Sequence, residues 1–131
     1  MPEVSTVLNA KAAIARHIQW KITLQFAITM QEPLSAEHVH QILNYRHCAI
    51  GRWLDSALTT PMRGRPEYVD LVQKHIEFHH EMKRLSELIA GARFEEAALN
   101  IGPLSGFARG SKALATAVMA YDAVAAIAVP V

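Results

Sequence analysis

The chain has 131 residues, a formal charge of +1 from 13 Lys and Arg against 12 Asp and Glu, and a 51% hydrophobic composition. That is the size of one domain with its own core, expected here over residues 1–131. The charge balance offers neither a basic field for nucleic acid nor a polybasic tract for anionic lipid, so no nucleic-acid and no membrane partner is expected. The single cysteine, Cys48, cannot close an internal disulfide. The first residues lack the apolar core of a secretory signal, and the expectation is a cytoplasmic protein.

Breakers divide the chain into four long helical segments. The first is expected over residues 6–31, stopping before Pro33. Ser35 then offers an N-cap for a second helix over residues 36–58, which ends at the Pro- and Arg-rich stretch 59–66. The third starts after Pro66 and runs to about residue 90, with Gly91 as its stop. A short helical turn over residues 94–100 precedes a last helix from about residue 103 to 128. From residue 113 onward only Thr116, Tyr121 and Asp122 carry polar groups, but the run is alanine-rich and Asp122 sits near its middle. It reads as a buried helix fraying at Pro130 rather than as a membrane span. Four long helices with short connections predict an all-α, antiparallel four-helix bundle.

Helical projection places several polar residues where a core should be. In the third helix Tyr68, Leu71, Val72, Ile76, Phe78, Met82, Leu85 and Ile89 form one stripe, with His75 and His79 in its middle and His80 beyond its edge. In the first helix His17 shares a stripe with Ala13, Trp20, Leu24 and Ile28, while Ile14, Ile18, Ile22 and Phe26 make a second apolar face. The second helix has a broad stripe of Val39, Ile42, Leu43, Ile50, Trp53, Leu54 and Ala57, yet Cys48 projects opposite its centre. Helices with two faces to bury predict a homodimer, with an irregular turn near Gly51 as the alternative. Gly51 is costly within a helix, so something is expected to pack against its bare backbone.

Buried imidazoles need polar partners. One reading is a zinc site: two His one turn apart supply an edge of a tetrahedron, and two other helices supply one ligand each, giving His17, Cys48, His75 and His79. The other reading is a set of core imidazoles satisfied by hydrogen bonds. Asn44, one turn before Cys48, is a candidate outer partner of the thiol. Zinc hydrolysis is disfavoured, because Glu77 in the His-Ile-Glu-Phe-His stretch is displaced by one position from the general base of His-Glu-x-x-His peptidases. Four protein ligands would also leave no open position for water. No enzyme activity is expected. A phosphotransfer histidine is the alternative, with His80 followed one turn later by Lys83 and Arg84, although a solvated helix face accounts for the same residues. His38, His40 and His47 read as surface groups, and Trp20 and Trp53 as core or interface anchors.

Three motifs together resemble the bacterial chemoreceptor zinc-binding domain family. They are His-Ile-Gln-Trp at 17–20, Cys-Ala-Ile-Gly-Arg-Trp-Leu at 48–54 and His-Ile-Glu-Phe-His at 75–79, and the stretch after Gly102 is similar to the start of that family's last helix. The resemblance implies one zinc ion held by His17, Cys48, His75 and His79. It further implies a regulatory role in chemoreceptor or diguanylate cyclase signalling, sensing zinc or, through the zinc-bound cysteine, hypochlorous acid. In cyclases the domain is similar to a dimerisation module. A purely structural zinc remains the other reading of the site.

Overall fold

The computed structural model describes residues 10–128. The expected helical residues 6–9 and the fraying at Pro130 lie outside the described residues. Among the described residues every element is helical: α1 (Ala10–Met30), α2 (Ala36–Leu43), α3 (Ala49–Leu54), a 3₁₀ segment (Ala57–Met62), α4 (Pro66–Ala90), α5 (Phe94–Leu99) and α6 (Gly106–Ala128). The all-α expectation holds, and no described helix is long and apolar enough to cross a membrane.

Local chemistry sets most boundaries. Gln31 adopts φ 54° and closes α1, its amide returning to the Ile28 carbonyl and the Glu32 amide to the Ala27 carbonyl, just before Pro33. Ser35 caps α2 by accepting from the His38 amide at 3.1 Å. Pro66 occupies the first turn of α4, where its missing N–H is harmless. At the other end of α4 the left-handed residue is Ala92, φ 57°, rather than Gly91, and the Arg93 amide returns to the Leu88 carbonyl at 2.8 Å.

The predicted helix over residues 36–58 is not one rod. Residues 44–48 leave helical geometry and part α2 from α3, and residues 55–56 part α3 from the 3₁₀ segment. Asn44 begins the break: its side-chain amide donates to the His40 carbonyl at 2.7 Å, taking the place of the next backbone N–H. Downstream, the Leu54 carbonyl accepts from the Thr59 hydroxyl and from the Tyr68 hydroxyl, both at 2.8 Å, which ties the end of α3 to α4. The wheel that put Cys48 outside therefore fails for a physical reason, since a projection assumes an unbroken helix. For the same reason Leu43 and Ala57, placed on the buried stripe, are exposed.

The core forms where α4 and α6 pack along their length and α1 closes over them. Leu24, Leu71, Phe78, Met82, Leu85, Phe107, Leu114 and Val118 are among its largest buried side chains, and Trp53 stacks edge-on against Tyr121. The inner stripes of α1 and α4 face the core as their spacing predicted, with Trp20, Tyr68, Val72 and Ile76 half-buried and the rest buried. Ala92 supplies a direct check on the helix stop. A side chain in the left-handed region is strained, so Ala92→Gly should stabilise the protein by about 1 kcal/mol. Urea denaturation of the two proteins measures this.

A candidate metal centre

The break in the second helical region turns Cys48 inward. Cys48 stands at the N-cap of α3, where its sulfur accepts from the Gly51 amide at 3.3 Å and its thiol points to the Tyr45 carbonyl at 3.4 Å. This geometry requires a glycine at 51. A Cβ there would collide with the Tyr45 carbonyl oxygen and lie 2.8 Å from the Arg46 Cα, both backbone atoms that cannot swing away. Cys48 ends 7% exposed, in the core.

Opposite it, α4 presents two buried imidazoles one turn apart. His75 Nε2 lies 3.1 Å from Cys48 Sγ, and the His75 and His79 rings meet edge-to-face at 4.6 Å. His79 Nδ1 donates to the Ile42 carbonyl at 2.9 Å. A carbonyl can only accept, so Nδ1 carries the proton and Nε2 is left with a free lone pair. Such a bond to the second ring nitrogen is how proteins orient metal-binding histidines. Tyr45 packs its ring against both imidazoles, at 6.2 and 6.3 Å.

The ligand-type atoms of Cys48, His75 and His79 all lie within 4.8 Å of one another, and all three residues are buried. A tetrahedral zinc with these donors sets them roughly 3.3–3.6 Å apart, so the 3.1 Å Cys48–His75 pair would open slightly while all three stay inside the 4.8 Å they now span. His17 lines the same cavity, of about 480 Å³, but does not join the three-residue cluster. Its Nε2 is bonded to Ser111 Oγ on α6 at 3.0 Å, and its ring meets Phe78 edge-on at 5.5 Å. His17 Nδ1 is the one buried side-chain nitrogen or oxygen without a hydrogen-bond partner among the described residues. A buried thiol beside two buried imidazoles, with a third imidazole on the wall of the same cavity, is the chemistry of an N/S donor set for zinc, and the residues present fit the ion.

The electrostatics agree. Burial holds His75 down to about 3, helped by the neighbouring His79. Burial also lowers His79, against the Ile42 carbonyl that raises it, and lowers His17, with Ala13 one turn back acting weakly the other way. The Ala13 carbonyl does not reach hydrogen-bonding geometry with the His17 ring, so the orphaned nitrogen stands. Neutral imidazoles are the ligand form. Burial pushes the Cys48 thiol up, opposed by the Gly51 and Ile50 amides and by Arg52. Metal binding here would therefore release the thiol proton.

Sequence reasoning missed the supporting groups. Tyr45, the Ile42 carbonyl and Ser111 became visible only once the chain was folded, although Ser111 lies in the stretch after Gly102 whose resemblance was noted. Asn44 does not reach Cys48; it bonds His40 instead. Of the expected surface histidines, His40 and His47 are exposed, whereas His38 is half-buried against Trp20 at 5.7 Å. His80 is exposed.

The three lowered imidazoles carry a pH signature. Each binds a proton more readily unfolded than folded, so their contribution to stability is complete above about pH 6.5 and is lost on acidification toward the folded value, about 3 for His75. The metal-free protein should lose stability below pH 6.5 with a slope approaching about 1.4 kcal/mol per pH unit for each proton taken up. Urea denaturation in chelator across pH 7.5–4.5 is the check, and a flat profile between pH 6.5 and 5 would contradict buried neutral imidazoles.

Comparison with known proteins bears on the same residues. A family model described as the chemoreceptor zinc-binding domain matches residues 17–86, more than half of the chain, from His17 past His79. Curated proteins and solved structures give no match. With Cys48, His75 and His79 gathered for a metal within that stretch, the chain belongs to the chemoreceptor zinc-binding domain family, whose members are zinc-binding sensor domains of signalling proteins.

Proposed function

We propose that this domain senses zinc through a single ion held by His17, Cys48, His75 and His79, and that occupancy sets the position of α1 against α4. The observation that carries the reading is the buried convergence of Cys48, His75 and His79 with His17 set back across one cavity. Three of the ligands come together in one cluster, and the fourth belongs to another helix. Zinc supplies the attraction that draws the His17 ring toward the other three. Losing it leaves His17 resting on Ser111, a folded but looser state. A purely structural ion would instead leave the chain unfolded when removed.

Cys48 gives a second input. Hypochlorous acid reacting with its thiolate transfers the oxygen and proton to sulfur, giving sulfenic acid and releasing chloride. Sulfenic acid is a poorer donor, so oxidation and zinc loss lead to the same loosened arrangement. The chain has no second cysteine to trap the sulfenate as an internal disulfide. Signalling partners of the chemoreceptor or cyclase kind would read the change out. His80 is exposed with Lys83 and Arg84 beside it, but a phosphotransfer role leaves the buried cluster unexplained.

Purified protein loaded with zinc should hold a tightly bound equivalent per chain. Cys48→Ser, His75→Ala and His79→Ala should each weaken it by more than the roughly 10–100-fold that loss of an outer hydrogen-bond partner costs, and His17→Ala should weaken it without unfolding the metal-free protein. Chelator competition measures all four. Unchanged affinity in His17→Ala would remove α1 from the site and with it the proposed switch.

The domain also works as a homodimer on this reading. Ile18, Ile22, Phe26 and Met30 are 49%, 57%, 59% and 53% exposed and fall on one face of α1, away from His17. A continuous apolar stripe of this size on a helix marks a protein contact, and a second copy of α1 offers the same apolar chemistry in return. The helix that carries His17 would then also carry the contact, which couples zinc to the arrangement of the pair. Sedimentation at tens of micromolar should show a dimer, and Ile18→Glu should shift it toward monomer. A monomeric wild type would refute this.

A further inference from the structure

Outside the buried cluster, two other imidazoles face each other. His40 in the last turn of α2 and His47, immediately before Cys48, are both exposed. His40 Nε2 stands 3.2 Å from His47 Nδ1, with the ring centroids 5.3 Å apart. Asn44 fixes the nearer ring: its Nδ2 donates to the His40 carbonyl at 2.7 Å and lies 3.3 Å from His40 Nδ1. Because that amide nitrogen donates, His40 Nδ1 accepts, and the proton between the two rings sits on His40 Nε2.

Two imidazole nitrogens bound to one tetrahedral zinc at about 2.0–2.1 Å are separated by roughly 3.3–3.4 Å. The pair already stands close to that spacing, with one proton where the ion would sit. Neither ring is buried, so water is free to complete the coordination. The residues come from the two sides of the break in the second helical region, His40 from α2 and His47 from the turn that delivers Cys48.

We propose that His40 and His47 form a second, solvent-facing zinc site, distinct from the buried cluster and made of two imidazoles completed by water. Binding at His40 Nε2 displaces the proton there to Nδ1, so the Asn44 amide gives up its contact with that nitrogen and keeps only the His40 carbonyl. Two protein ligands without a thiolate make this the weaker of the two sites. Its ion clamps the end of α2 to the turn before Cys48, so filling it stiffens the segment that presents the thiol to the inner site. By linkage, an outer ion that favours the inner one is itself favoured by it to the same degree.

The experiment is a calorimetric zinc titration of the full chain at about pH 8, because metal binding needs deprotonated ligands, followed by imidazole-tuned NMR. The wild type should show one tight and one weaker event per chain. His40→Gln and His47→Gln should each abolish the weaker event and keep a tight one. Cys48→Ser should weaken the tight event and keep the weaker, which separates failure of this site from failure of the inner one. In the spectra the second equivalent should shift the His40 and His47 ring signals. A single event in the wild type, or a second event undiminished in His40→Gln, would overturn the proposal.

Discussion

The structure depends on the contact between the bare Gly51 backbone and the Tyr45 carbonyl. It lets the chain double back at residues 44–48, so that Cys48 leaves the surface and its sulfur takes the Gly51 amide. The same turn sets the Tyr45 ring against His75 and His79, and the α2 segment before it offers the Ile42 carbonyl to His79. One backbone approach thus supplies a thiol, a packing wall and an orienting acceptor. Side chains on later segments then lock it, because Thr59 and Tyr68 both cap the Leu54 carbonyl.

Three buried imidazoles and a buried thiol are an unusual load for a core of this size, and the structure does not dissipate it fully. His79 and His75 have partners, whereas one nitrogen of His17 has none. An unmet buried polar atom is destabilising, more so in surroundings of low polarity. On the proposed reading, an ion meets the cluster where its hydrogen bonding is least complete, which suits a domain of two states. Ser111 belongs to this balance. It gives His17 a resting partner on α6, beyond the stretch matched by the family model.

Much of this was legible in the residues. The inner stripe of α4, with His75 and His79 among apolar neighbours, was readable because α4 is an unbroken helix and obeys its period. The same holds for His17 on α1, and for the outer face of Ile18, Ile22 and Phe26, whereas Ile14, expected on that face, packs against the core. Cys48 was legible as a ligand type but misplaced in space, because no Gly or Pro lies in residues 44–47 to announce the break. The break comes from an Asn side chain replacing a backbone donor and from a glycine three residues beyond the cysteine, a tertiary arrangement with no local period. Ser111 and the Ile42 carbonyl were beyond reach for a related reason, since each meets its histidine across a long stretch of chain, 94 and 37 residues away.

The central claim is that His17, set back on α1, completes a site whose other three members are already gathered. Zinc K-edge X-ray absorption of the protein carrying one equivalent of zinc tests it most directly. The account predicts one sulfur at about 2.3 Å and three nitrogens at about 2.0–2.1 Å, with outer-shell scattering from three imidazole rings that falls to two in His17→Ala. Scattering from two rings in the wild type, unchanged by that substitution, would contradict it.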